Sequence, residues 1–166
     1  SEYVQRALFA PLGREDPAFF VPQENRGRLA VSYETSGEGE KMVPYAGNHL
    51  GIINAMDRQP AFESGGAGLV STSADYMKFA HMLLQGGVCG NRRVLEERTV
   101  RFLAGGGLFE TQQKDFERRI PHLAGFTYGN LMRVLQEEGK AYYMGSRGEY
   151  GWDAWLGSYF SNDPKE

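Results

Sequence analysis

A glycine-rich turn running straight into a marked helical period constrains this chain more than any other stretch. It spans Ser64 to Gly87 and reads Ser-Gly-Gly-Ala-Gly-Leu-Val-Ser-Thr-Ser-Ala-Asp-Tyr-Met-Lys-Phe-Ala-His-Met-Leu-Leu-Gln-Gly-Gly. Thr72 predicts an N-cap, because its hydroxyl accepts an orphan N–H of the first turn. Asp75 stands three residues on, where a capping box carries Glu. Tyr76, Phe79, Ala80, Leu83 and Leu84 recur at i, i+3, i+4, i+7 and i+8, which predicts one buried face. Asp75, Lys78, His81 and Gln85 fall on the opposite, solvated face. Gly86-Gly87 ends the helix, since glycine accepts the left-handed conformation wanted there.

Around this stretch the chain is divided by proline and glycine. Residues 1–9 carry Val4, Ala7 and Leu8 on one helical face and stop at Pro11 and Gly13. A chain that opens inside a helix without a starter Met is expected to have sequence before Ser1. Residues 10–27 read as loop, 29–34 and 42–46 as two short strands about a charged turn, and 47–63 have no clear period. Beyond Gly87, residues 93–95 read as extended and 96–103 as a second helix. Residues 108–124 are too polar to place. The last third reads as sheet: one strand over 126–135, a return over 140–144, and the strongest strand over 150–161. Alternation puts Tyr150, Trp152, Ala154, Leu156 and Phe160 on one face of that last strand, with Trp155 and Tyr159 on the other. A strand apolar on both faces is usually central, which predicts a further strand beyond Glu166.

Composition narrows the function classes. The chain has 166 residues, one domain or a piece of one, and net charge −3 with no basic run longer than Arg92-Arg93 or Arg118-Arg119. A phosphate backbone needs clustered Lys and Arg, so no nucleic-acid partner is expected. No apolar run approaches the ~18 residues of a membrane span. Cys89 is alone, which excludes an intrachain disulfide and a cysteine metal site. His49, His81 and His122 show no ligand spacing, so no metal or cofactor is expected.

The Ser64–Ser71 loop resembles an anion cradle in being glycine-rich before a helix. It lacks the third glycine of a dinucleotide fingerprint and the Lys-Ser/Thr of a P-loop, so a structural turn is the better reading. The residues three before Lys41, Lys78, Lys114, Lys140 and Lys165 are Glu38, Asp75, Thr111, Glu137 and Asn162, so the chain contains no S-x-x-K. A G-x-S-x-G elbow is absent too. Tyr128-Gly129-Asn130 matches a Tyr-x-Asn element, but a three-residue pattern in a strand is more simply structural. The aromatics of 142–160 read mostly as core, with exposed rings a surface for stacking on sugars. Gly151 and Gly157 mark close approach of a ligand or another backbone.

Three stretches together resemble one family. Phe62 to Gly87 is similar to the S-G-G-x-G-L-x-S-T-x-x-D-x-x-x-F-x-x-M-L-x-x-G-G segment of the β-lactamase-related serine hydrolases, which take in class C β-lactamases, D-alanyl-D-alanine peptidases and related esterases. Leu8-Phe-Ala-Pro-Leu-Gly13 resembles the I-F-x-P-L-G after that family's tyrosine motif. Tyr150-Gly-Trp-Asp-Ala-Trp-Leu-Gly-Ser-Tyr-Phe160, followed by Asp163-Pro164, resembles its G-W-G-G-x-x-G-T-Y-F and D-P strand. The matches run in the family's order along nearly the whole chain.

The resemblance implies an α+β, β-lactamase/transpeptidase-like fold, with helices packed on an antiparallel sheet. It is partial: residues 1–166 correspond to the C-terminal portion of a single domain, without the N-terminal catalytic segment and the last strand and helix. It implies serine-acyl chemistry on an ester, a D-amino-acid peptide or a β-lactam, so the partner is a small-molecule or peptide substrate. In the family an S-x-x-K serine attacks a carbonyl, and a lysine and a tyrosine handle its proton. Those motifs are absent here, so the chain alone is expected to be inactive, with no catalytic residue of its own. The pocket and oxyanion strand maps to Trp152, Asp153, Ala154 and Trp155, and Ser64, Gly65 and Gly66 form a structural loop near the site. Asp153 and Ala154 replace the two glycines of W-G-G, which is expected to narrow the pocket or change its charge. A non-catalytic binding or regulatory module of the same fold is the alternative. The family occurs on both sides of the bacterial inner membrane, so compartment stays open.

Overall fold

The computed structural model describes residues 2–37, 41–47, 56–154 and 156–166. They fall into two compact units, Ser1–Asp75 and Tyr76–Glu166. Trp155 and His49 lie outside the described residues, as does much of 47–63.

The first unit is mostly loop. It opens with α1 (Glu2–Val4), continued by a π turn over Gln5–Phe9 that ends where Pro11 was expected to stop it. Residues 10–27 are not all loop: a 3-10 helix occupies Gln23–Arg28. β1 (Tyr33–Thr35) and β2 (Met42–Pro44) form the expected antiparallel hairpin, with Glu34 opposite Val43. Both strands are exposed along their length. Arg14, buried, lies over the Phe9 ring at 4.9 Å and donates to the Ser71 hydroxyl at 3.0 Å.

α2 (Ser73–Leu84) runs from the first unit into the second. The Thr72 hydroxyl accepts the Asp75 N–H at 3.2 Å, the N-cap bond expected from sequence. The buried face is rotated from the expected one. Met82 is fully buried beside Ala80 and Leu83, whereas Tyr76 is 38% exposed and Leu84 nearly as much. Asp75, assigned to the solvated face, is buried, because its carboxylate accepts the N–H groups of Glu15 and Asp16, each at 3.0 Å. The helix ends on Gly86 and Gly87, both at positive φ (63° and 94°), and Gly87 closes a bond to the Met82 carbonyl at 2.9 Å.

In the second unit, β3 (Val88–Cys89) and β4 (Arg92–Arg93) make a two-residue ladder, followed by α3 (Glu97–Leu103). The stretch left unplaced holds α4 (Glu110–Arg119) and a 3-10 turn over Pro121–Leu123. α4 has almost no apolar period; the pairs Glu110–Lys114 and Asp115–Arg119 tie its surface at i, i+4.

The sheet has four antiparallel strands in the order β5-β6-β7-β8, with β5 Phe126–Tyr128, β6 Arg133–Leu135, β7 Tyr150–Asp153 and β8 Tyr159–Asn162. Two expected long strands are thus hairpins. The 126–135 strand turns at Gly129–Met132, where Gly129 N–H donates to the Met132 carbonyl at 2.8 Å. The 150–161 strand turns at 154–158, with Gly157 at φ 87°. Residues 140–144 form no strand; Glu138–Lys140 is a 3-10 turn. One face of the sheet packs on Leu123, Phe116 and Ile120 around Phe126 and Leu135. The other meets α2: Phe160 lies 5.5 Å from Tyr76 and 6.5 Å from Phe79, and the Asn162 amide donates to the Ala80 carbonyl at 2.8 Å.

Candidate functional site

Strand β7 carries the sequence-selected residues, and alternation decides what each can offer. Successive side chains of a strand point to opposite faces. Trp152 shares the α2 side with Phe160, its cross-strand partner. It is 40% exposed and meets Tyr128 edge-on, ring centroids 5.2 Å apart. Asp153 goes the other way. Its carboxylate accepts from Arg133 Nε at 3.0 Å, and Arg133 Nη1 reaches Glu149 at 3.2 Å.

Arg133 was not singled out from sequence, yet it organises this side of the sheet. Its side chain is 1% exposed, that of Glu149 5% and that of Asp153 35%. The guanidinium lies 4.6 Å from the Phe126 ring centre and 5.7 Å from that of Tyr143. A buried cation needs such pairing, since desolvation would otherwise cost several kcal/mol. Ser161 adds a hydroxyl to Glu149. The spacing held a signal: Glu149, Gly151 and Asp153 share one face, and Arg133 stands opposite Gly151. The carboxylate that replaces a glycine here is therefore bound on the face away from Trp152.

Ala154 closes the hairpin. Its N–H donates to the Ser158 carbonyl at 2.7 Å, so that N–H is already engaged within the turn. Ser64, Gly65 and Gly66 belong to the first unit. Ser64 starts a turn in which its carbonyl accepts the Gly68 N–H at 3.0 Å. The chain then bridges Val70 to Ala18 before α2 begins at Ser73. The glycine N–H groups therefore do not form the first turn of the helix, which bears against an anion cradle.

Tyr128-Gly129-Asn130 is structural at its asparagine. The Asn130 amide donates to the Phe102 carbonyl at 2.9 Å and caps the end of α3. No cluster of three potential metal ligands occurs among the described residues, and no described helix is long and apolar enough to cross a membrane. An open groove of about 410 Å³ runs along α4 between Leu108, Phe116 and Ile120, and the Asp115 carboxylate on its lining is paired with Arg118 and Arg119.

The chain belongs to the β-lactamase family, whose model, described as Beta-lactamase, matches residues 1–166. Its fold is β-lactamase-like and α+β, as the sequence resemblance implied. Protein Rv1367c of Mycobacterium tuberculosis is 25% identical over 167 residues; the alignment covers 98% of this chain and 40% of that protein. The chain thus spans about two fifths of the curated relative's length. Among solved structures, unliganded simvastatin synthase (LovD) from Aspergillus terreus superposes with a TM-score of 0.73 at 19% identity, covering 99% of this chain and 42% of that one. EstCE1, described as a hydrolase with promiscuous acyltransferase activity, gives a TM-score of 0.69 at 20% identity with the same coverage.

Proposed function

We propose that residues 1–166 are the C-terminal portion of a single serine-hydrolase domain. They supply its pocket-lining strand, and an S-x-x-K serine and lysine come from elsewhere in the polypeptide. The parent transfers an acyl group from an ester, a D-amino-acid peptide or a β-lactam to water. The serine attacks the carbonyl, the ester oxygen or amide nitrogen takes a proton as its bond to the carbonyl carbon breaks (in a β-lactam it stays attached through the opened ring), and water releases the acyl group from the serine. Trp152 and the residues that follow it line the acyl pocket.

One observation carries this reading: β7 presents a half-exposed Trp152 at the position of the family's W-G-G motif, while Asp153 is held by Arg133 on the other face. The replacement of glycine by aspartate thus leaves the Trp152 side without an added charge, which favours a working pocket over a module that has lost its chemistry. The similar structures of a synthase and a hydrolase with acyltransferase activity agree with acyl chemistry.

The test is a chromogenic β-lactam and a nitrophenyl-ester assay on residues 1–166 and on the longer protein. Turnover is expected only from the longer protein and only with its S-x-x-K serine intact. Turnover by residues 1–166 that vanishes on mutating a serine within them overturns the reading. A parent without S-x-x-K supports the alternative, a binding or regulatory module.

A further inference from the structure

On the α2 side of β7, Trp152 pairs across the hairpin with Phe160, and Phe160 packs on Tyr76; Tyr128, which the register sets opposite Arg133, meets the Trp152 ring edge-on. Trp152 and Tyr76 keep about two fifths of their surface exposed, so the row is not closed over by the described residues. The cation that touches β7 is Arg133, and it is spent. It is buried, paired with two carboxylates and within reach of the Phe126 and Tyr143 rings, on the opposite face. One guanidinium against two carboxylates leaves this part of the sheet with one net negative charge.

Resting on the proposed acyl pocket, we infer that β7 selects uncharged, apolar acyl or aryl groups and discriminates against acyl groups that bear a carboxylate. An apolar group laid on Trp152 removes aromatic surface from water. A carboxylate laid there gives up its hydration, cannot reach the Arg133 guanidinium on the other face of the sheet, and stands near a net negative cluster. The discrimination is therefore built into two features: the aromatic row that attracts, and the sequestered arginine that cannot compensate charge.

The experiment is a binding titration that does not need turnover. Trp155→Phe leaves Trp152 as the sole tryptophan, and its fluorescence is followed with two ligands of equal length. One is the neutral 4-nitrobutyranilide, the other 4-nitrosuccinanilic acid, which differs by a terminal carboxylate. The neutral ligand is expected to quench with at least a fivefold lower Kd, and the preference is expected to persist in wild-type protein by calorimetry. Trp152→Lys is expected to narrow or reverse it, because it replaces an aromatic surface with a cation. Equal or tighter binding of the acid overturns the inference, and so does absence of binding by either ligand. These outcomes are separate from the serine dependence of ester hydrolysis, which judges the proposed function.

Discussion

Arg133 Nε and the Asp153 carboxylate lie 3.0 Å apart, and this pair holds the charge next to Trp152 on the face of the sheet away from that ring. β6 supplies the arginine and β7 the aspartate. The same guanidinium holds Glu149 two residues before Gly151, so one side chain ties β7 at both ends of its exposed-to-buried transition. β7 is thus braced from the face opposite Trp152.

Removing the arginine is therefore expected to cost far more than removing the aspartate. Arg133→Met leaves Glu149 buried without its cation and is expected to destabilise by about 3–5 kcal/mol. Asp153→Asn keeps an oxygen acceptor at a partly exposed site and is expected to cost about 1 kcal/mol. Chemical denaturation of the two variants checks the ranking. A double variant, Arg133→Met with Glu149→Gln, is expected to lose less than Arg133→Met alone, since the buried charge is gone and only the partly exposed Asp153 is left without its arginine.

Gly151 is the second point where β7 tolerates no change. A Cβ there meets the Phe160 carbonyl oxygen at 2.0 Å and its carbon at 3.0 Å, both backbone atoms of the neighbouring strand. Gly151→Ala is expected to part β7 from β8 and cost about 2–3 kcal/mol. Gly139→Ala is the control: a Cβ at Gly139 meets nothing within 4 Å, and the change is expected to stay within about 0.5 kcal/mol. Equal melting temperatures for the two variants would contradict this account.

The parts of the fold that were legible in sequence had a local physical marker. Thr72 capped α2 and Gly86-Gly87 ended it; a helix over 96–103 and the strand pair of β1 and β2 were also read. Both missed hairpins lack such a marker. In the first, Leu131 takes φ 84°, a conformation that sequence assigns to glycine rather than leucine. In the second, alternation passes through the turn, because Trp152 and Phe160 share a face whether the chain is straight or folded back. α4 was invisible because ion pairs along its surface, rather than a repeated apolar face, characterise its sequence. Met82 was missed by reading the apolar stripe of α2 a residue too late. On β7, Trp152 and Asp153 were singled out through the family motif, whereas their neighbour Arg133 was not, since a lone strand arginine reads as solvated. Its two carboxylates at Glu149 and Asp153, on one face about Gly151, were the available clue.

Alkaline pH is expected to weaken the second unit through Tyr150. Burial holds its phenol above the ordinary tyrosine value, and the hydrogen bond from Asn162 at 3.3 Å offsets part of that shift. In the unfolded chain the phenol ionises near pH ~10. Above that pH the unfolded state binds fewer protons than the folded one, so stability falls as pH rises until the folded phenol also ionises. Tyr143 acts in the same direction, again chiefly by burial. Denaturation between neutral pH and pH ~11 is expected to show a steeper loss in wild type than in Tyr150→Phe. Parallel curves would remove Tyr150 from the explanation.

Asp75 does for the first unit what Arg133 does for the second. It is buried at the start of α2, and one carboxylate oxygen, Oδ2, accepts N–H groups from both Glu15 and Asp16 at 3.0 Å. Those two donors sit after the Gly13 turn, so the carboxylate pins the 13–16 loop to the helix start. Near a helix N-terminus a negative charge is also favoured by the helix dipole. Asp75→Ala strands both donors and is expected to cost about 2–4 kcal/mol. Asp75→Asn retains an acceptor oxygen but loses the charge, and is expected to cost roughly half as much. Hydrogen exchange at the amides of Glu15 and Asp16 distinguishes this anchoring from a general loss of helix. In Asp75→Asn those two amides are expected to exchange faster while Met82 and Leu83 keep their protection. If all four lose protection together, the carboxylate serves the helix as a whole and the loop is held by something else.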